Sequence, residues 1–196
     1  GIMWIGMIGG GVNMANTRKA KFNLDRLSEA KRILKSNSVR SILLDDEGQL
    51  WMGISTYGFG VEDRRTGKFT HHGQMPDFSS YRGISTVMSI MQSPSTGHIW
   101  IGVYNGGAYE IDKSAPVGKR VKAHNSSNAP WMCNSCIYYI CEDSKQNLWF
   151  ATKSGISMRA ADGTSVRFDS LKVGDVAVRD MVVMQLVEGR DGEMWL

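Results

Sequence analysis

Two acid pairs, Asp45/Asp46 and Glu142/Asp143, are the residues of this chain whose type best suits proton exchange. Adjacent carboxylates can act as a general acid and base couple. Cys133-Asn134-Ser135-Cys136 has the form of a redox-active pair or of half a zinc site. No second Cys pair follows it, and the remaining cysteine, Cys141, falls on a strand position alongside Leu43 and Val187. A Cys133–Cys136 disulfide is open but unforced. The four histidines, His71, His72, His98 and His124, lack metal-ligand spacing and read as surface residues. No Gly-x-Ser-x-Gly elbow marks a nucleophile. The sequence therefore assigns no catalytic residue, no metal and no cofactor.

The acid pairs have a better explanation in the elements that carry them. Asp45 and Asp46 open the phrase "DDEGQLWMG", and Glu142/Asp143 recur in the corresponding turn before Trp149. Trp4, Trp51, Trp100, Trp149 and Trp195 are separated by 47, 49, 49 and 46 residues (51 − 4, 100 − 51, 149 − 100, 195 − 149), while Trp131 lies outside the series. Each of the first four is followed by a bulky apolar residue and then Gly or Ala. An apolar alternation leads into each turn, as at Val39, Ile42 and Leu44 or Ile137, Ile140 and Cys141. Glycines follow, and then an outer apolar position: Phe22, Phe69, Val121 or Phe168. Period-two alternation argues strands, and Asp-rich Gly turns argue hairpins. Four antiparallel strands per unit of this length, with one large aromatic at a fixed place, define a β-propeller blade. The acids then pin hairpin turns, and the tryptophan packs between blades. The fold expected is all-β: a β-propeller fragment of about four blades' worth of strands. Its repeat units fall near 1–36 (partial), 37–84, 85–134, 135–181 and 182–196 (partial). Only "LDRLSEAKRILK", 24 to 35, has helical spacing, through Leu24, Leu27 and Leu34; it reads as a short helix or a polar loop.

Composition agrees. At 196 residues and 42% hydrophobic, the chain can bury a sizeable core. Its net charge of +4 is dispersed among 19 acids, so a nucleic-acid partner is not expected. The densest basic stretch, "NTRKAKFNLDRLSEAKRILKS", could serve as a nucleic-acid arm, but its "RKAKF" sits where "RTGKF" sits in the next repeat, a solvated turn into an edge strand. No apolar run is long enough to span a bilayer, and "GIMWIGMIGGGVNM" lacks signal-peptide features. It reads as the middle of a repeat, as if excerpted from a longer chain.

The segments "SVRSILLDDEGQLWMGISTYGFGVEDRRTGKFTHH", "VMSIMQSPSTGHIWIGVYNGGAYEI" and "IYYICEDSKQNLWFATKSGISM" resemble the two-component regulator propeller repeat. The resemblance implies the periplasmic sensor region of a hybrid two-component system of polysaccharide-degrading gut bacteria. It implies two propellers of about seven blades each, outside the inner membrane and anchored through other parts of the parent chain. Glycan products would bind there and signal to a histidine kinase. Counting back from each tryptophan, Asp46 becomes Ser95, Ser144 and Arg190, and Gly48 becomes Gln146, so the turns vary. The count of units falls short of such a ring, and self-association through open edges, as a homodimer, is expected.

In a propeller, loops leading into the innermost strand and turns after the tryptophan strand converge on one face. The first set holds Tyr81, Arg82, Trp131, Asn134, Arg179 and Asp180; the innermost strands offer Arg40 and Tyr138; the turns offer Tyr57, Tyr104, Asn105 and Lys153. Aromatic and hydrogen-bonding groups of this kind suit an oligosaccharide or another small ligand. Trp131, outside the structural series, is the foremost of them. Two other functions share the fold: a propeller lyase of the streptogramin-inactivating type, and a protein-interaction scaffold.

Overall fold

The computed structural model describes residues 2–7, 11–16, 21–25, 38–81 and 83–196. The expected helix at 24–35 lies outside the described residues except for Leu24 and Asp25, which are in a strand. Arg82 also lies outside them. The chain divides into two compact units, Gly1–Ile90 and Met91–Leu196.

The first unit contains a three-stranded meander, β1 (Ile2–Met7), β2 (Gly11–Asn16) and β3 (Lys21–Asp25). It also holds a four-stranded sheet of β4 (Val39–Leu44), β5 (Gln49–Ile54), β6 (Gly58–Asp63) and β7 (Phe69–His71), in that order. The second unit is built on two further four-stranded sheets. One is β8 (Val87–Gln92), which begins in the last residues of the first unit, with β9 (Ile99–Val103), β10 (Gly107–Ile111) and β11 (Val121–His124). The other is β12 (Ile137–Glu142), β13 (Leu148–Thr152), β14 (Ile156–Arg159) and β15 (Ser165–Arg167). Two short hairpins follow: β16 (Lys172–Val173) with β17 (Val176–Ala177), and β18 (Val187–Glu188) with β19 (Met194–Trp195). The β16–β17 hairpin has no counterpart in the expected repeat. Helix is confined to three single 3-10 turns among the described residues. The architecture is all-β and assembled from propeller blades.

The middle strands explain the repeated phrase. Every residue of β9 is buried, because sheets stacked face to face cover both sides of a central strand. Trp100, 1% exposed, meets Phe150 of the next blade edge-on at 5.5 Å, and both belong to a core with Ala108, Ile137 and Ile140. The small residue two positions on is required by the same approach: a Cβ on Gly102 would lie 2.7 Å from Ile137 Cγ2. In the first unit, Trp4 packs against Val39, Leu50, Met52 and Phe69, with the Arg64 guanidinium 4.7 Å above its ring. Trp195 differs, being 64% exposed.

The acids of the turns are hairpin locks. Asp45 accepts hydrogen bonds from the Glu47 and Gln49 amides, at 3.1 and 2.8 Å, and from the Trp51 indole at 2.9 Å. Asp143 repeats this with Lys145, Asn147 and Trp149. Where the aspartate is replaced by Gly189, Glu193 takes the Trp195 indole instead, at 3.0 Å. The turn of β8 and β9 departs further. Its closing bond runs from Ser93 to His98 where Asp45 bonds to Gln49, so it is one residue longer. Counting back from Trp100 misplaces its residues by one, and Ser93 stands where Asp45 and Asp143 stand. Glu142 reaches back from the end of β12 to accept from the Ser93 hydroxyl and the Ser95 amide. Glu188 does the same for Ser144, accepting from its amide at 2.8 Å and its hydroxyl at 2.6 Å. These carboxylates staple one blade to the next, which leaves the Glu142/Asp143 pair committed to packing. Gln146, at φ 65°, occupies the left-handed conformation that Gly48 adopts at φ 79°.

Candidate functional site

The start of β12 is irregular in a way that shapes a surface. Its pairing with β13 shifts between Ile137 and Tyr139, so Tyr138 is the extra, bulged residue. The first unit has the same bulge between Val39 and Ser41, which places Arg40 at the equivalent position, exposed. A bulge breaks the alternation of side chains and re-aims the residue it carries. Tyr138 meets the ring of Tyr104 edge-on at 6.1 Å, Tyr104 being 38% exposed on the turn after β9. Beside it, Asn105 is exposed at φ 58°, a conformation that Asn tolerates better than most residues. Burial, and then the neighbouring Cys136, push the Tyr138 hydroxyl above its ordinary range, so it stays a neutral donor and acceptor.

The turn after β13 supplies the polar side of this surface. Lys153 is exposed while its amide donates to the Cys136 carbonyl at 3.0 Å. Asn134 accepts from the Cys136 amide at 2.8 Å and approaches Ser154 Oγ with its amide nitrogen at 3.5 Å. Gly155, at φ 91°, lets the 178–181 turn pass close by, and a Cβ there would lie 3.4 Å from Arg179 Cα. Arg179 is exposed, 3.9 Å from Asp180. Tyr104 and Tyr138 are thus in ring contact, with Asn105 next to Tyr104 in its turn, while Asn134, Lys153 and Arg179 lie on the loop before β12, the turn after β13 and the 178–181 turn.

Trp131 is not part of that surface. It is half-buried against the core, 5.1 Å from Phe150 and 5.9 Å from His124 ring to ring, beneath the loop that carries it. In the first unit, Tyr57 lies 5.3 Å from His71 and helps line a cavity of 380 Å³ with Thr56, His72, Gly73 and Ile84. His71 accepts from the Gly73 amide through Nδ1, which leaves Nε2–H to donate to the Tyr57 carbonyl at 2.7 Å. Tyr81 packs edge-on against Phe78.

The histidines correct the expectation of surface residues. His72 and His124 are 3% and 5% exposed, stacked on Phe59 and Trp100 at 5.2 and 5.4 Å. His124 fills against Trp100 the place that Phe168 takes against Trp149 in the next blade, at 5.3 Å, whereas Phe59 stacks between His72 and Trp51. An imidazole can serve as a flat packing group, a role that composition does not reveal. Burial, then the adjacent His71, bring His72 down to about 4. His98 and His124 both bond to Glu110, at 3.0 Å each, and Arg159 stands 3.7 Å from the same carboxylate. Burial pushes that carboxyl up, but the two imidazole hydrogen bonds outweigh it and hold it at about 2. Sequence reading missed this cluster because its members come from three strands and a turn. Among the described residues, no group of three or more His, Cys, Asp or Glu side chains is placed to hold a metal ion.

All three cysteines are unpaired. Cys133 donates to the Ile156 carbonyl and to Asp169 at 3.1 and 3.0 Å, and burial pushes its thiol above the ordinary range; burial also pushes the Cys141 thiol up, there to about 11. A raised thiol is a poor nucleophile. Neither residue has the environment of a redox centre.

Residues 33–56 and 132–154 match the family described as the two component regulator propeller. Over these two stretches the chain is similar to that family's repeat. Each matched stretch covers the β-hairpin that ends in the locked tryptophan and the turn after it. The chain aligns over 100% of its length with the extracellular domain of a B. thetaiotaomicron protein described as a hybrid two-component system, at 24% identity and a TM-score of 0.72. A second B. thetaiotaomicron extracellular domain, described as part of a one-component system, aligns over 99% at 16% identity and a TM-score of 0.70. In each case the chain spans 24% of the other's length. Virginiamycin B lyase from Staphylococcus aureus aligns over 100% of the chain and 59% of its own, at 16% identity and a TM-score of 0.66. At these identities the likeness establishes the propeller fold. No curated protein matches the chain significantly. No helix among the described residues is long and apolar enough to cross a membrane.

Proposed function

We propose that these propeller repeats form part of the extracytoplasmic sensor region of a membrane-anchored hybrid two-component protein, and that they recognise an oligosaccharide without transforming it. The observation that carries this reading is the Tyr104–Tyr138 pair, presented by a β-bulge, with Asn105, Asn134, Lys153 and Arg179 on nearby loops and turns as candidate polar partners. Aromatic faces stack on the C–H faces of sugars, while amides and cations bind their hydroxyls and carboxylates. The kinase that reads the signal belongs to other parts of the parent chain. Occupancy alters signalling only where the ligand prefers one of two sensor states.

The test is isothermal titration of the protein with a panel of neutral and acidic oligosaccharides. We expect saturable binding of one glycan class, weakened at least tenfold by Tyr138→Ala. Binding left unchanged by Tyr138→Ala would move the site elsewhere. Silence across all glycans would remove the sensor assignment for this surface and favour a protein-interaction scaffold. Release of a product from a bound ligand would favour the lyase, a reading supported by the fold shared with virginiamycin B lyase.

A further inference from the structure

A second cavity, of 230 Å³, opens within the second unit on the side of the acid turns. It lies between the β8–β11 and β12–β15 blades, walled by the 93–98 turn, Trp100, Glu110, Gln146, Leu148, Arg159 and the turn through Gly163. Its origin is the substitution of Ser93 for the turn aspartate. Asp45 and Asp143 each place a carboxylate on the indole N–H of their tryptophan, at 2.9 and 2.7 Å. Ser93 is too short to do so, and its hydroxyl is occupied by Thr96 and Glu142. Trp100 is 1% exposed and lines the cavity, yet its indole N–H has no partner among the described residues. That N–H keeps accessible surface in the cavity it lines, so the site favours a ligand that supplies an acceptor.

The remaining groups say what kind of acceptor fits. Arg159 contacts Glu110 only at 3.7 Å, beyond hydrogen-bond reach, which leaves its guanidinium donors available. Both Glu110 oxygens are engaged, one by His98 and the other by His124. His98 Nε2 stands 3.8 Å from Asp112, whose carboxylate also accepts from Ser114. The amides of Ser95, Thr96 and His98 are satisfied within the turn or by Glu142. Apart from the exposed Gln146 amide, the unused side-chain groups are donors, from an indole and a guanidinium. We propose that this cavity binds a small organic carboxylate, whose oxygens take the place on Trp100 that an aspartate fills in the neighbouring blades and pair with Arg159. A guanidinium matches a carboxylate through parallel hydrogen bonds, and Leu148, Ala160 and Ala161 line the cavity beside it. This site is separate from the Tyr104–Tyr138 surface and does not depend on glycan binding there.

The probe is gluconate, with sorbitol as its neutral match, read by the tryptophan indole resonances in a 15N–1H spectrum. Loss of one resonance in Trp100→Phe assigns the reporter. We expect gluconate to shift the Trp100 resonance downfield saturably and sorbitol to bind at least tenfold more weakly. Arg159→Gln, a change at a partly exposed side chain, should weaken gluconate at least tenfold with the other indole resonances unmoved, while Tyr138→Ala leaves it unchanged. An immobile Trp100 resonance, an equal response to sorbitol, or full affinity in Arg159→Gln would each overturn the proposal.

Discussion

A single carboxylate decides the geometry of each hairpin. Asp45 is 5% exposed and gathers two turn amides and an indole N–H. Removing it strands donors that water reaches poorly, so Asp45→Ala should cost about 3 kcal/mol of stability. Asp45→Asn should cost less, since an amide oxygen still accepts. Urea unfolding checks both, with the midpoint lowered and the slope unchanged. The sequence showed the acid–turn–tryptophan phrase plainly, because the covalent spacing from acid to indole is constant. It hid the turn at 93–98, where one added residue keeps the tryptophan spacing while a serine stands in the aspartate's place. It also hid Trp131 as a packing group, since a loop tryptophan looks the same whether its ring turns inward or outward.

At the scale of elements, the bulges in β4 and β12 present Arg40 and Tyr138 where regular strands would have alternated them. No residue type in either stretch announces a bulge, which arises from the register of pairing with the next strand. The buried imidazoles sit at the outer side of their blades, His124 at the end of β11 and His72 in the 3-10 turn after β7. His72 is brought from 6.5 to about 4 in the folded protein, so the unfolded chain binds its proton more readily. Stability from this group is therefore complete above about pH 6.5. It declines as pH falls toward 4, by on the order of 3 kcal/mol, and is level below that. The ring of His71, 4.2 Å away, adds repulsion in the same direction. Urea midpoints measured from pH 7.5 to 4 should fall for the native protein and flatten in His72→Phe. Parallel curves would refute the assignment.

Across the whole molecule, the second unit exposes apolar side chains together at its C-terminal hairpins. Val173, Val176, Val182, Met184 and Val187 are each 48–58% exposed, and Trp195, the counterpart of the 1% exposed Trp100, is 64% exposed. Surfaces of this kind mark association sites. We expect self-association between copies, seen as a mass that rises with concentration in light scattering. Val176→Lys, a charge on a short edge strand, should reduce it. A constant monomer mass over a hundredfold range of concentration would refute this expectation.

Local chemistry sufficed for the sequence to determine the all-β class, the blade repeat, the locked turns and the tryptophan between blades. Strand alternation, turn residues and spacing act over a few residues and survive in the linear order. The tertiary structure alone decided which candidate residues meet. Tyr104 and Tyr138, Glu142 and Ser95, or Trp100 and Arg159 lie on different blades, and their encounter depends on the stacking of one sheet on the next. The empty acceptor position on Trp100 is of the same origin: a serine in a turn becomes a cavity only when a second blade walls it in.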